Sequence, residues 1–517
     1  MARFDLADSS VVVVIGSGAG GGTLSNELAQ KGVKVVCLEA GPRLSLADIV
    51  NDERAMFKKM SWLDPRKGTG QLHPQFPSWS CKTVGGTTMH WEGQCPRLQE
   101  HELMAQTTYG EVADTSFIDW PLGMQELSSF YAKAEDKMGV AGTNGRPFLP
   151  GNNNFKVMAA GARKIGYQDV DTQHMAINST VRDNRPSCQQ IGFCNSGCAI
   201  GAKWSTLYTE VPKAEATGNF ELRAESMVVR IHHDAHGRVT GVDYYDKGGV
   251  LRHQKARAVC VAGNAIETAR LLLNSHSDLF PGGLANSSNQ VGRNYMTHFT
   301  ICVISLMPKP VNFHRGTQMA GVVRDEMRHD LSRGFWGGYS INPVPFPPEF
   351  LAAHMQHGGW GEELTASLQQ YDHLAGLMMM GEDPPQATNR ITLDPEVTDQ
   401  RGMPIPVVHY SDHPNTTKMK AHALRQGKAI HSALGATKSY EITSLPATHN
   451  LGTARMSERA NDGVCNKWGQ THDIKNLFVS DGSLFSTSGC ANPTLTIVAL
   501  AIRQAEFIKS EIEKGNI

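Results

Sequence analysis

The sequence predicts an α/β protein in which a discontinuous Rossmann-like domain carries an inserted α+β domain. Residues 11–39 read as a buried strand, a glycine cluster, a helix and a second buried strand. Residues 477–517 read as a strand, a loop and a final apolar helix, whereas residues 301–440 lack a comparable glycine pattern. We therefore expect residues 1–300 and 441–517 to build the first domain, and residues 301–440 to be the main part of the insertion.

The composition excludes several classes of protein. Hydrophobic residues make up 40% and charged residues 19% of the 517, which indicates a compact chain with more than one structural unit. The formal net charge of −1 gives no field that would attract nucleic acid, so no nucleic-acid partner is expected. No apolar run approaches the ~18 residues that a membrane helix needs, so no direct membrane span is expected. Ten cysteines are too few for a disulfide scaffold, and we expect reduced thiols.

The glycine cluster GSGAGG predicts a dinucleotide site. Gly16, Gly18 and Gly21 follow the pattern G-x-G-x-x-G directly after a strand and at the start of a helix. The first glycine permits a tight turn, the second lets a pyrophosphate approach the backbone, and the third lets the helix pack on the strand. The helix N-terminus then favours the anion. Glu39 ends the second strand, where a carboxylate can accept a hydrogen bond from a ribose hydroxyl. These residues do not distinguish FAD from NAD.

Further elements can be assigned between the two ends of the chain. Residues 221–245 alternate as antiparallel strands do, and residues 256–275 read as a buried strand that runs into a helix. The methionine run at residues 378–380 is expected in a core strand, because no histidine or cysteine accompanies it at a spacing that suits a copper site. No motif in residues 301–440 identifies a substrate.

Several separated segments resemble the glucose–methanol–choline (GMC) oxidoreductase family. They are EAGPR, VGGTTMHW, AGNAIETARLLL, VGRNYMTH, PPQATNRITL, THNLGTARM and FVSDGSLFSTSGCANPTLTI, and they occur in order over nearly the whole chain. The resemblance implies an enzyme that binds FAD and oxidises an alcohol. It therefore favours FAD over NAD and makes the Rossmann-like domain an FAD-binding domain, with the insertion as the substrate domain.

The motifs and the resemblance together assign a set of FAD-binding residues. They are Gly16, Gly18, Gly21, Glu39, Gly85, Gly86, Thr87, Thr88, His90 and Asp481. His90 carries a further implication, because pyranose oxidases join the histidine at the matching place covalently to the flavin. Other relatives keep the histidine without the bond, so both alternatives stay open here.

The resemblance also assigns two catalytic residues. His449, in the motif H-x-x-G-T, corresponds to the base, and Asn492 to its partner position before the last helix. Oxidising an alcohol means removing the hydroxyl proton and passing a hydride from carbon to flavin N5. A neutral imidazole suits the proton transfer, which is worth typically ~10²–10⁴-fold, and an amide can orient the hydroxyl. Because Asn-Pro begins many helices, Asn492 is also expected as the N-cap of a helix that starts at Pro493 and directs its positive end at the flavin.

Three of the ten cysteines lie in the segment CQQIGFCNSGC, residues 188–198. Cys188, Cys194 and Cys198 lack the paired spacings and fourth ligand of a zinc site, and they do not match redox or haem motifs. Thiolates are the usual ligands of iron–sulfur clusters. The spacing, followed by GAKWSTL, resembles the catalytic subunits of bacterial FAD-dependent sugar dehydrogenases, which implies a 3Fe–4S cluster on these cysteines. Ser187 stands where the glucose enzyme has an extra cysteine, and a structural loop without iron is the alternative.

The same subgroup implies a reaction and partners. We expect oxidation of a hydroxyl of a small carbohydrate or alcohol, with electrons leaving through the cluster to a cytochrome c subunit or another acceptor. The alternative is a pyranose- or glycoside-type oxidase that uses oxygen and holds no cluster. A non-catalytic flavin-binding subunit is disfavoured, because His449 and Asn492 are both present.

The N-terminal segment MARFDLADSS lacks the basic-then-apolar layout of a secretory signal. The subgroup's catalytic subunits likewise have no signal of their own and cross the membrane with a small export or assembly subunit. A periplasmic location by such co-export is therefore expected, with a cytoplasmic location as the alternative.

Overall fold

Four β-sheets and the helices packed on them make up the computed structural model, which describes residues 3–354 and 361–517. The α-helices are α1 (Ala19–Gln30), α2 (Glu53–Met60), α3 (Glu100–Leu103), α4 (Ala105–Tyr109), α5 (Met124–Met138), α6 (Asn153–Lys164), α7 (Glu210–Ala216), α8 (Asn264–Asn274), α9 (Pro348–His354), α10 (Glu362–Gln369), α11 (Pro414–Ser432) and α12 (Thr494–Glu513). The strands are β1 (Val12–Ile15), β2 (Val35–Leu38), β3 (Lys67–Gly70), β4 (Val170–Thr172), β5 (Phe220–Arg223), β6 (Met227–His233), β7 (Val239–Tyr245), β8 (Leu251–Lys255), β9 (Ala258–Val261), β10 (Phe299–Leu306), β11 (Gly321–Val323), β12 (Tyr339–Pro343), β13 (Leu374–Gly381), β14 (Arg390–Thr398), β15 (Pro404–Tyr410), β16 (Lys438–Ile442) and β17 (Leu477–Val479). In this part of the chain, no helix has both the length and the apolar character that crossing a membrane requires.

The five-stranded sheet is parallel throughout and combines both ends of the chain. Its strand order is β17-β9-β1-β2-β5, and Val12 pairs with Val35 on one side and with Ala258 on the other. β17 pairs with β9 in parallel register, Leu477 against Val259. All residues of β1, β2 and β9 are buried, as expected for strands of a parallel sheet that is covered on both faces. The predicted discontinuous Rossmann-like domain is confirmed.

Helix α1 completes the strand–helix–strand unit expected from residues 11–39 and packs on α12 and α7. An ideal Cβ at Gly20 would lie 1.7 Å from the carbonyl oxygen of Ser480, directly after β17. The bare glycine therefore lets the first helix touch the returning C-terminal segment. This contact joins the two ends of the discontinuous domain.

The inserted domain is built on a six-stranded sheet in the order β16-β10-β13-β12-β11-β4, and all its paired strands are antiparallel. Helices α6 and α11 pack against it. Most of these strands come from residues 301–440, but the edge strand β4 comes from earlier in the chain. The methionine run lies in β13 as predicted, with Met379 and Met380 in the hydrophobic core.

Two three-stranded sheets complete the described fold. β6, β7 and β8 form an antiparallel sheet, as expected for most of residues 221–245. β5 is an exception, because it pairs in parallel with β2 and belongs to the main sheet. A four-residue strand is too short for its alternation to distinguish the two kinds of sheet. In the other small sheet, β15 pairs with β14 and with β3.

Replacement of Gly20 by alanine should destabilise the protein, because the added Cβ would overlap the Ser480 carbonyl oxygen and push α1 away from β17. Overpacking of this kind costs about 1–3 kcal/mol, and more where backbone must move. We expect a lower urea midpoint for unfolding. Gly282→Ala is the matched control, since the nearest atom to its Cβ would be Asn286 Nδ2 at 3.7 Å, an ordinary contact. Equal midpoints for the two variants would contradict the packing of α1 on Ser480.

Candidate active site

A cavity lies beside the glycine cluster, with Gly16, Gly18 and Gly86 in its wall. Gly16 has a φ of +99°, and a Cβ there would lie 2.3 Å from the Ala262 carbonyl oxygen. A Cβ at Gly86 would lie 2.9 Å from Gly18 Cα, so two bare stretches of backbone face each other. A wall of backbone at the start of α1 fits the close approach of a pyrophosphate.

Glu39 is buried at this cavity, and the chain holds its carboxylate. Oε2 accepts hydrogen bonds from Ser17 N at 3.0 Å and from Ser17 Oγ at 2.7 Å, and Oε1 accepts one from Gly41 N at 2.9 Å. Burial raises the pKa of Glu39, and these hydrogen bonds oppose the rise. The carboxylate is thus held in place at the end of β2, and its hydrogen bond to a ribose stays a prediction.

A larger cavity, open to solvent, adjoins the first. Thr87 and Asn264 line both cavities. The larger one brings together predicted residues from distant parts of the chain: His90, His449, Asp481 and Asn492. The Asp481 carboxylate is itself held, since it accepts hydrogen bonds from Thr268 Oγ1 and Ser483 N.

Three predicted cofactor residues support the walls without lining either cavity. A Cβ at Gly21 would lie 2.1 Å from the Gly16 carbonyl oxygen, so this glycine lets α1 pack on β1. Gly85 has a φ of +99° and begins a short 3₁₀ helix. Thr88 is buried in that helix, where its Oγ1 donates to the Gly85 carbonyl at 2.5 Å. Their contribution is to the shape of the two turns.

His90 is buried in the wall of the larger cavity. Its ring stacks on Trp79, with centroids 4.4 Å apart and planes 6° from parallel. Burial, reinforced by the nearby Lys203 ammonium, lowers the pKa of His90 to about 3, so the ring is neutral. Nε2 is buried and has no hydrogen-bond partner among the described residues, which fits a further group at this point.

His449 is joined to a second histidine. His298 Nδ1 lies 2.7 Å from His449 Nδ1, and His298 Nε2 lies 2.7 Å from the carbonyl oxygen of Gly489. Burial lowers the pKa of His298 to about 4 and that of His449 well below its usual value of 6.5, where His298 adds to the shift. Both rings are therefore neutral at pH 7.

These contacts decide which nitrogen of His449 is able to accept a proton. The Gly489 carbonyl can only accept, so His298 Nε2 carries a hydrogen and donates it. Neutral His298 then has a bare Nδ1, which accepts a hydrogen bond from His449 Nδ1. His449 is left with a lone pair on Nε2, the nitrogen for which the described residues supply no partner.

The backbone explains why the two histidines meet. Met296 and Leu451 form an antiparallel bridge with hydrogen bonds in both directions. His298 follows Met296 by two residues and His449 precedes Leu451 by two, so the two histidines lie opposite each other on the paired segments. Gly452 allows this approach, since it has a φ of +88° and a Cβ there would lie 2.2 Å from the Asn294 carbonyl oxygen. The glycine of H-x-x-G-T thus has a packing role beside His449.

Asn492 lines the larger cavity, but it is not the N-cap that the sequence predicts. Helix α12 begins at Thr494, and Pro493 occupies the cap position with no side-chain capping bond. Pro493 already has helical angles, with φ −78° and ψ −14°. Asn492 therefore lies one residue before the cap position, from which a side chain accepts a hydrogen bond from the first free N–H groups of a helix. No hydrogen bond within the described residues occupies the Asn492 side chain. Its amide therefore stays available to a substrate hydroxyl.

The three cysteines of residues 188–198 are half-buried against one hydrophobic cluster. Backbone N–H groups donate to two of the sulfurs, Gln190 N to Cys188 Sγ at 3.4 Å and Lys203 N to Cys198 Sγ at 3.5 Å. In the described part of the chain, two groups of three bring metal-ligating atoms within 4.8 Å of one another, and neither includes a cysteine. Ligands of a single ion converge this closely, whereas a polynuclear cluster places its own atoms between its thiolates. The loop is therefore not arranged for one ion bound by all three thiols.

Lys203 connects this loop to the loop around His90, residues 89–91. Its Nζ donates to three carbonyl oxygens: Met89 at 3.0 Å, Trp91 at 2.5 Å, and Cys194. A neutral amine has only two N–H bonds, so three acceptors require the ammonium form. Burial lowers the pKa of Lys203, while the nearby sulfurs of Cys194 and Cys198 oppose that shift. A buried positive charge thus lies next to the thiols.

Sequence reasoning missed three residues of the site. His298 and Lys203 lie inside segments that carry the resemblance, but neither was assigned a role. Asn264, which lines both cavities, has a φ of +74°, a conformation that glycine and asparagine favour. A polar residue at the turn between a buried strand and the next helix was the available signal for Asn264, and an ionisable residue next to the loop was the signal for Lys203.

The fold and site define the class of protein. A parallel nucleotide-binding sheet, a backbone-walled cavity for a dinucleotide, and an adjoining cavity with a neutral imidazole and a free amide are the parts of an oxidoreductase that acts on hydroxyl groups.

The chain belongs to the GMC oxidoreductase family. Family models described as GMC oxidoreductase match residues 68–300 and residues 385–501. The resemblance is confirmed, and with it FAD as the cofactor and the hydroxyl of an alcohol or sugar as the group acted on.

Similar proteins extend over the whole chain. A 2-methyl-1,2-propanediol dehydrogenase of Mycolicibacterium austroafricanum is 32% identical, with 97% of this chain and 95% of that protein covered. A fructose dehydrogenase large subunit of Gluconobacter japonicus is 28% identical, with 98% and 99% covered. The crystal structure of a pyridoxine 4-oxidase from Mesorbium loti has a TM-score of 0.71 at 16% identity, over 96% of this chain and 99% of that chain, which shows the shared fold.

Replacement of His298 should slow catalysis without much change in substrate affinity. His298→Ala removes the acceptor for His449 Nδ1, so the ring loses its fixed tautomer, and we expect kcat to fall by about 10–100-fold with a smaller change in KM. His298→Gln supplies an amide carbonyl in its place and should recover part of the loss. His431→Gln is the control, because His431 is an equally buried histidine that contacts Ser305 in the inserted domain. A similar loss of kcat in all three variants would contradict the positioning role.

The pH profile of kcat/KM should have its acid limb below pH 6.5. The base acts when neutral, and burial together with His298 lowers the pKa of His449 below that value. Activity should therefore rise with pH through the lowered pKa and be level at pH 7. Steady-state rates between pH 4.5 and 8 with the FAD-loaded protein test this. A limb centred above pH 7 would rule out a neutral buried His449 as the base.

Proposed function

We propose that this chain is the catalytic subunit of a dehydrogenase that oxidises a hydroxyl of a sugar, a glycoside or a related polyol. We further propose that the electrons leave through a 3Fe–4S cluster on Cys188, Cys194 and Cys198 to an external acceptor. The observation that carries this proposal is the buried Lys203 ammonium, which donates both to the loop around His90 and to the cysteine loop. A positive charge buried at this place stabilises thiolates in the cysteine loop, the form that binds iron.

Several features of the cysteine loop support the cluster. Backbone N–H donors to sulfur and a nearby positive charge both stabilise thiolates, the form that binds iron. Burial raises the pKa of Cys194 to about 12, and Lys203 opposes that rise, so metal would be needed to hold this sulfur as a thiolate. Asn195 and Ser196 line the same cavity as His449, so the loop borders the catalytic site. When bound, a cluster here would supply one-electron transfer out of the site.

The residues of the cavity account for the alcohol chemistry. His449 Nε2 accepts the hydroxyl proton of the substrate, and the Asn492 amide donates to the same oxygen and orients it. FAD, when bound, supplies the acceptor for the hydride that leaves the carbinol carbon. The alcohol thus loses one proton and one hydride and becomes a carbonyl compound. His298 keeps the proton on His449 Nδ1, so Nε2 is free at the start of each turnover.

The proposal extends to partners and location. The 28% identical relative is named as a large subunit, which implies further subunits for that protein. We propose by analogy a cytochrome c acceptor and a small export or assembly subunit for this chain, and a periplasmic location reached together with that partner.

An oxygen-using oxidase without a cluster is the second candidate. Relatives named as oxidases, including a paromamine 6'-oxidase, cover nearly the whole chain and support it. In that case the cysteine loop is a structural wall of the cavity, and Lys203 only ties two loops together.

Iron analysis distinguishes the two candidates. Protein purified without oxygen should contain about three irons, with matching acid-labile sulfide, per FAD. Each of Cys188→Ser, Cys194→Ser and Cys198→Ser should lose most of the iron and reduce an artificial electron acceptor more slowly. Ser187→Ala, next to the first cysteine, should keep both. Iron-free protein that consumes oxygen at the full rate would overturn the dehydrogenase proposal in favour of the oxidase. Acid precipitation of the same samples shows whether the flavin is released or is bound covalently at His90.

A further inference from the structure

The charged residues in the wall of the larger cavity have one sign. Among the described residues, carboxylates of Glu53, Glu92, Glu349 and Asp481 line it, and no lysine or arginine does. The oxygens of Asp481 are already used by Thr268 and Ser483. Glu92 is half-buried near Lys203, which offsets part of its charge. Glu53 and Glu349 therefore carry the negative charges that the described residues offset least.

Glu53 and Glu349 lie in the first turns of α2 and α9, and both line the cavity. Neither has a salt bridge or a side-chain hydrogen bond among the described residues. An anion that entered the cavity would approach these carboxylates with no positive side chain in the described wall to compensate. A cation would gain from the same charges.

The aromatic residues of the wall favour the same kind of ligand. Phe57, one turn after Glu53 on α2, contacts Phe76 and Trp79, with ring centroids 5.7 and 5.9 Å apart. Phe346 and Phe350 stack at 4.6 Å on the side of Glu349. Aromatic faces pack against the C–H faces of sugars and attract ammonium groups.

One buried acceptor in the wall lacks a donor. Gln94 is 2% exposed, and its Nε2 donates to the Met319 carbonyl at 3.1 Å and to Asn342 Oδ1 at 2.8 Å. Because both partners are acceptors, the amide orientation is fixed, and Gln94 Oε1 has no partner. Gln94 lines the larger cavity, and its oxygen needs a donor, which a hydroxyl or an ammonium supplies.

We propose that the cavity selects its substrate by charge: it accepts neutral and positively charged hydroxylated molecules, binds an amino-substituted one best, and rejects carboxylated ones. This inference rests on the proposed oxidation of a hydroxyl in the same cavity. It goes beyond that proposal by giving the substrate class, which is a polyol or amino polyol and not a sugar acid.

The test uses FAD-loaded full-length protein and two matched sets of probes. One set is glucosamine, glucose and glucuronate, and the other is 3-amino-1-propanol, 1-propanol and 3-hydroxypropanoate. Binding is measured from perturbation of the flavin absorbance, and turnover from reduction of an artificial acceptor. Within a set, the carboxylate should bind at least about 10-fold more weakly than the neutral member, and the ammonium should bind most tightly. The differences should shrink at high salt, because mobile ions screen exposed charges.

Variants locate the effect in the cavity. The double substitution Glu53→Gln with Glu349→Gln should reduce the discrimination between ammonium and carboxylate several-fold. Glu458→Gln, at an exposed position outside the cavity wall, should leave it unchanged. Equal binding within each set, binding by no member, or discrimination that survives the double substitution would overturn the inference. Charge-dependent binding without oxidation of any probe would count against the proposed function and leave the charge selection standing.

Discussion

The contact of Gly20 with the Ser480 carbonyl is the constraint on which the active cavity depends. It brings helix α1, which begins at the dinucleotide cavity, against the segment that follows β17. That segment carries Asp481 and then Asn492 into the larger cavity. The parallel register of β17 with β9 fixes the position along the sheet at which this segment begins. Residues separated by more than 400 positions therefore share one site because two backbones touch where a side chain would not fit.

The chemistry of the site follows from the polarity of one carbonyl group. The Gly489 oxygen can only accept a hydrogen bond, so neutral His298 donates to it from Nε2 and accepts at Nδ1. The donor to His298 Nδ1 is His449 Nδ1, which therefore carries the proton. Burial keeps both rings neutral, so the arrangement needs no carboxylate partner. A carboxylate would stabilise the imidazolium and raise the pKa of His449, whereas this pair keeps the ring neutral and able to accept a proton at lower pH. The two histidines meet because an antiparallel bridge runs between their segments.

The buried Lys203 ammonium joins the cysteine loop to the loop around His90, and removing this charge from water costs free energy. Lys203 is 1% exposed, and all three of its N–H bonds are used on carbonyl oxygens. The same ammonium lowers the pKa of His90 and lies near the sulfurs of two loop cysteines. Lys203 therefore affects both the loop around His90 and the site of the proposed cluster. Iron analysis of the cysteine variants tests whether that cluster is present.

The sequence by itself determined the parallel sheet, the glycine turn and the family, because these depend on local signals: the apolar runs of β1 and β2, the spacing of Gly16, Gly18 and Gly21, and the motif around His449. It also led to His90 and Asn492, which line the same cavity. Tertiary structure alone decided the partner of His449, the buried charge of Lys203 and the single sign of charge among the described residues of the cavity wall. Each of these depends on how segments distant in the chain come together. A residue's neighbours across such a distance leave no periodicity or spacing in the sequence. The helix start at Thr494 shows the same limit on a local scale, since an Asn-Pro pair permits a cap but the surrounding packing sets where helical angles begin.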